Sequence, residues 1–183
     1  MERDTPIFDS LPSRNAKLIT HRYAGIGSRE TPEDILKMMT EVASNLEHVG
    51  YVLRSGGAKG ADSAFEAGVE NPSHKQIFYA DDADAKSQAI AKEIHPAPER
   101  LSTYGLSLMA RNTYQIFGRD LNTPVDFVLC WTKDGKEGFG KDRPIGGTGQ
   151  AVEMAARKGI PVINMKNKNW IERLTNILKE NRI

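Results

Sequence analysis

The sequence predicts an α/β fold in which a mostly parallel central sheet is flanked by helices on both faces. Three observations predict it. Short apolar runs alternate with segments of helical periodicity, glycine-rich turns join the end of one run after another to the start of a helix, and the resulting βαβα order continues along the chain. Parallel neighbours need crossover connections, and right-handed crossovers place helices above and below the sheet.

Residues 1–20 are polar and aperiodic and read as an arm; residues 21–183 read as one domain. The first strand is expected over 22–26. It runs into Gly25, Gly27 and Ser28, after which Thr31 and Pro32 have the form of an N-cap followed by proline at the first helical position. In the helix that follows, Ile35, Met39, Val42 and Leu46 recur at helical spacing, with Glu33, Lys37 and Glu41 on the opposite face and Gly50 at the end. A second strand over 51–54 leads through a turn over 55–60 into a helix over 61–69. A third strand is expected over 76–80 and a helix over 83–94, closed by Pro96 and Pro98. Residues 102–117 read as a helix, 125–131 as a fully buried strand, and 133–144 as a mobile loop of glycines and mixed charges placed to act as a lid. A helix over 149–158, a fifth strand over 160–165 and a helix over 170–179, with Ile171, Leu174 and Leu178 on one face, complete the chain. The arrangement is Rossmann-like, and in such sheets ligands bind outside the carboxyl ends of the strands.

Composition narrows the function. The 39% apolar and 27% charged content is that of a soluble globular domain, no apolar run is long enough to cross a bilayer, and the amino terminus lacks a secretory signal, so a cytoplasmic location is expected. The formal charge of +1 lacks the basic excess that by itself indicates nucleic-acid binding. Cys130, the single cysteine, lies in an apolar run and is expected to pack as a small hydrophobe. His21, His48, His74 and His95 show no zinc-like spacing, so no metal or cofactor is expected. Trp131, Phe139 and Trp170 are aromatic candidates for stacking, with packing the better expectation for the two tryptophans.

Three segments carry the chemistry. Gly25-Ile26-Gly27-Ser28-Arg29 sits between a strand and a helix, where amides and the helix dipole hold an anion; Glu30 stands where a dinucleotide fingerprint needs its third glycine. A tight turn with an exposed arginine is the plainer reading of the same residues. Ser55-Gly56-Gly57-Ala58-Lys59-Gly60-Ala61-Asp62 is a second strand-to-helix loop, with Lys59 placed to approach a phosphate. Ala61 and Asp62 follow its last glycine, where a triphosphatase loop has lysine and a hydroxyl. Asp62 either caps the helix or accepts hydrogen bonds from a sugar or base. Gly146-Gly147-Thr148-Gly149-Gln150 opens the helix carrying Glu153. One such turn is common in any fold, whereas three at successive strand ends point to a ligand. Arg111 and Asn112 interrupt an amphipathic helix, as either a solvated face or a phosphate and base contact.

Taken together, Tyr23-Ala24-Gly25-Ile26-Gly27-Ser28-Arg29, Ser55-Gly56-Gly57-Ala58-Lys59-Gly60-Ala61-Asp62 and Gly146-Gly147-Thr148-Gly149 resemble the superfamily joining DprA/Smf, the Lonely Guy (LOG) phosphoribohydrolases and the SLOG nucleotide sensors. The resemblance covers roughly residues 20–165 and is nearest to compact, phage-type DprA-like proteins, whose middle loop has the form Ser-Gly-Gly-Ala-Arg-Gly-Ile-Asp. It implies three functions. A SLOG-type domain would hold a nucleotide or nucleotide-derived signal through the three loops. A DprA-like protein would bind single-stranded DNA and help load a recombinase; Arg111-Asn112 matches the start of that family's Arg-Asn-Arg motif, with Thr113 in place of the second arginine. A LOG-like enzyme would cleave the N-glycosidic bond of a nucleoside 5′-monophosphate with Arg111 and Glu153; in its Pro-Gly-Gly-x-Gly-Thr-x-Glu-Glu motif this chain has Ile145 for the proline, Gln150 for the threonine and Val152 for the first glutamate. Binding is therefore expected ahead of hydrolysis. The expected partners are a nucleotide or nucleotide-derived small molecule, single-stranded DNA on the DprA-like reading, and further copies of the chain, with no membrane.

Overall fold

The computed structural model describes residues 20–138 and 146–181. The arm before residue 20, Phe139 and the second half of the loop expected over 133–144 lie outside the described residues. Five strands form an all-parallel sheet in the order β3-β2-β1-β4-β5: β1 (Arg22–Gly25), β2 (Val52–Ser55), β3 (Lys75–Ile77), β4 (Phe127–Cys130) and β5 (Val162–Asn164). The register pairs Tyr23 with Leu53 on one side of β1 and with Phe127 on the other. The α/β fold and the parallel sheet expected from the segment order are both present.

Among the described residues, six α-helices cover the two faces. Side chains alternate across each strand, so Tyr23, Phe127, Leu129 and Ile163 join one core with α1 (Glu33–His48), α2 (Ala61–Ala67) and α6 (Trp170–Glu180). Ala24, Val128, Cys130 and Val162 join the other, under α3 (Ala85–Ile94), α4 (Thr103–Phe117) and α5 (Gly146–Arg157). Since chain connections run outward from β1 on one face and from β4 on the other, the order reverses between these two central strands. A crevice opens at their carboxyl ends.

Helix and strand ends differ from the sequence expectation for local reasons. Pro32, not Thr31, occupies the cap position of α1, and the Thr31 hydroxyl instead donates to the Ser28 carbonyl at 2.6 Å, closing the preceding turn. β3 ends at Ile77 rather than 80, because the chain enters a short 3-10 turn over Ala80–Asp82. α3 starts at Ala85 behind a capping box, in which Asp84 accepts from the Ser87 amide at 2.9 Å and the Ser87 hydroxyl reciprocates. α5 begins at Gly146, one turn earlier than the glycines suggested. On α6, Ile171 is 61% exposed and Leu174 is buried, so the packed stripe comprises Trp170, Leu174, Ile177 and Leu178. Cys130 is fully buried in β4 and burial pushes its thiol well above the ordinary range, as suits a core residue. Trp131 and Trp170 both pack on the α1 side of the sheet. Among the described residues no helix is long and apolar enough to cross a membrane.

Candidate functional site

The crevice is a cavity of about 1290 Å³, and each of the three glycine-rich segments lines it. Gly27, Ser28 and Arg29 enter from the loop after β1, Gly56, Gly57, Ala58, Lys59 and Asp62 from the loop and helix after β2, and Gly146, Gly147, Thr148 and Gly149 from the first turn of α5. Arg111 and Asn112 line it from α4.

The loops are held by contacts that the sequence alone does not reveal. The Ser28 amide donates to the Trp131 carbonyl at 3.2 Å, tying the first loop to the end of β4. Gly27 is required where it stands, because a Cβ there would lie 2.5 Å from the Ala61 Cβ at the start of α2. Two consecutive residues of α4 hold the other two glycine-rich segments. Arg111 donates from Nη1 to the Gly56 carbonyl at 2.9 Å, and Asn112 from Nδ2 to the Gly147 carbonyl at 3.0 Å. Asn112 is 4% exposed, so its amide is a structural link between α4 and α5 as well as part of the wall. Behind the loop after β4, the buried Asn164 donates to the Thr132 hydroxyl at 2.6 Å and to the Lys136 carbonyl at 2.9 Å, which sets the segment bearing Thr132, Lys133 and Asp134 against the cleft.

The electrostatics are mixed. Arg29, Lys59, Arg111 and Lys133 bring positive charge to the wall, opposed by Glu30, Asp62, Asp81 and Asp134. Burial pushes the Asp62 carboxyl up to about 6, against the opposing pull of the Ala58 amide and the Arg111 guanidinium. Burial likewise holds Arg111 below the ordinary arginine value, with Asp62 partly offsetting it. The second loop also spends two amides internally: Gly57 donates to Glu66 Oε1 at 3.0 Å and Ala58 to Asp62 Oδ2 at 3.2 Å. Here the chain's own α2 carboxylates occupy amides that the sequence reading assigned to a phosphate. Lys59 is that loop's exposed cation.

Four candidate residues do not line the cleft. Gly25 lies in β1 with its α-carbon against Phe65 and Leu53; Ser55 is fully buried at the end of β2; Gly60 packs on the Arg29 backbone at the α2 cap. Each shapes a loop from behind. Glu153 is 6% exposed and accepts from Arg157 Nε at 2.8 Å, one turn along α5. It stands four residues beyond Gly149 and so below the helix end that meets the cleft, while Val152 is fully buried in the core under α5.

The sequence reading missed Tyr79, Tyr104, Leu108, Met109 and Gln115, all of which line the cleft. A signal existed for part of this set. Tyr104, Leu108, Arg111 and Gln115 are spaced at four, three and four residues, which places them on one helical face with the arginine already under consideration. No protein-family model, curated protein or solved structure matches this chain.

Proposed function

We propose that the chain binds a nucleotide or a nucleotide-derived signal in this cleft, in the manner of the DprA/SLOG type of protein that its glycine-rich segments resemble. One observation carries the reading. Arg29, Lys59 and Arg111, distant in sequence, line a single cavity at the point where strand order reverses, together with the amino-terminal turn of α5. Cations and a helix start of this kind suit a phosphate, and the cavity is large enough for a base and sugar beside it. Binding without turnover is favoured over N-glycosidic hydrolysis, because Val152 belongs to the core and the Glu153 carboxylate is engaged by Arg157 outside the cleft lining.

A thermal-shift series with nucleoside monophosphates, linear dinucleotides and cyclic nucleotides tests the reading. A ligand at about 100 times its Kd adds roughly 2.7 kcal/mol to folding stability. For a domain of this size that raises Tm by roughly 5–10 °C. Recovery of the intact ligand by chromatography is expected; release of free base would replace binding with phosphoribohydrolase activity. Absence of any shift across the series would overturn the nucleotide reading.

A further inference from the structure

Four large apolar or aromatic side chains stand exposed among the described residues: Val49, Tyr79, Tyr104 and Ile171. Val49 and Ile171 lie away from the cleft, whereas both tyrosines line it, at 57% and 66% exposure. An aromatic ring left open to water at a cavity wall contributes nothing to the core, so its place there needs another reason.

The two rings are carried on well-anchored backbone. The Tyr79 amide donates to Asp82 Oδ2 at 2.7 Å, and Asp82 in turn pairs with Arg119 at 3.0 Å. The edge of the Tyr79 ring rests on the second glycine loop, where a Cβ on Gly57 would lie 2.9 Å from Tyr79 Cε1. Tyr104 sits in the first turn of α4, whose start is capped by the Ser102 hydroxyl accepting from the Gly105 amide at 2.9 Å. From Tyr104 the cleft-facing stripe of α4 passes through Leu108 to Arg111 and Gln115, so it changes from aromatic and apolar to cationic and polar along its length. Gln115 is 1% exposed. The other cations, Arg29 and Lys59, come from the first two loops. One cavity thus presents cations and flat aromatic surface side by side. That pairing suits a ligand that carries both an anionic group and a planar π-system.

We propose that Tyr79 and Tyr104, flanked by Leu108 and Met109, form a base-stacking subsite, so that the cleft holds a nucleotide by its base as well as its phosphate. This inference rests on the cleft being the phosphate site proposed above. Stacking on tyrosine tolerates any base, because every base has a π-face, and loss of one such ring weakens binding roughly tenfold or more.

The test titrates the full chain by calorimetry with the four common nucleoside 5′-monophosphates and with ribose 5-phosphate, which keeps sugar and phosphate and lacks the base. The parent is expected to bind the nucleotides more tightly than the sugar phosphate. Tyr104→Ala and Tyr79→Ala should each weaken the nucleotides by roughly tenfold and leave ribose 5-phosphate unchanged, while Tyr104→Phe keeps parent affinity. Both rings are exposed, so circular dichroism and Tm of the variants should match the parent. Binding of nucleotide and sugar phosphate with equal affinity, or alanine variants that change both ligands alike or neither, would overturn the stacking subsite and leave the phosphate site standing. Binding of none of the five, together with no thermal shift from the dinucleotides and cyclic nucleotides, would overturn the phosphate site itself.

Discussion

Asp62 is a cleft residue whose ionisation is shifted by its surroundings. Its carboxyl, 5% exposed, is pushed up to about 6 from 3.8 chiefly by burial. The folded protein therefore holds a proton at Asp62 over a pH range in which the unfolded chain has released it. Stability falls as pH rises from about 4 to about 6, and the full penalty, up to about 3 kcal/mol, is present above that. Asp62→Asn removes the ionisation and keeps an oxygen able to accept from the Ala58 amide. The expected result is a variant with higher Tm than the parent at pH 7–8 and a difference that closes below about pH 4, measured by calorimetric scans across that range. A difference that stays constant with pH would show that ionisation of Asp62 is not its source.

At the scale of elements, α4 organises the site. Its Arg111 binds a carbonyl of the second loop and its Asn112 one in the first turn of α5, and its Tyr104 end reaches the cleft wall. The contact with the second loop is close: a Cβ on Gly56 would lie 2.2 Å from Gln115 Nε2 and 2.9 Å from Arg111 Cζ. Gly56→Ala must therefore displace both side chains or move the loop, at a cost of about 1–3 kcal/mol for overpacking. A Tm lowered by several degrees is expected, together with weaker binding of whichever nucleotide stabilises the parent, because Arg111 loses its place. A Gly56→Ala protein with parent Tm and affinity would show that α4 does not set this loop. The α4 stripe was within reach of helical periodicity once residues 102–117 read as a helix. Tyr79 was not, since it follows an edge strand that ends three residues short of the expected boundary, in an irregular turn with no period to read.

The molecule as a whole carries a formal charge of only +1, so its cations act where the fold gathers them rather than through a long-range field. This bears on the single-stranded DNA reading implied by the resemblance to DprA. Among the described residues the cleft offers four cations, Arg29, Lys59, Arg111 and Lys133. If DNA uses this cleft, log K should fall with log salt at a slope no steeper than about −3, from roughly 0.7 counterions released per phosphate neutralised on a single strand. Fluorescence anisotropy of a labelled oligonucleotide across a salt series measures it. A markedly steeper slope would place the DNA on cations elsewhere and remove the cleft as its sole site.

The sequence by itself determined the layers: alternating buried runs and amphipathic segments admit a parallel sheet covered on both faces, and glycine-rich turns after the first two strands and at the start of α5 mark its carboxyl edge. These features are local, written in periodicity and in backbone freedom at single positions. Only the tertiary structure decided which marked residues meet. It brought Gly27, Gly57 and Gly147 into one cavity, turned Gly25, Ser55 and Gly60 into supports behind it, paired Glu153 with Arg157 outside the lining, and added Tyr79 and Tyr104 to the wall. The physical reason is that strand order and side-chain competition are non-local. Which strands neighbour β1 follows from how both helical layers pack. Likewise, whether a loop amide faces ligand or one of the chain's own carboxylates depends on side chains such as Asp62 and Glu66, which the fold brings back onto that loop.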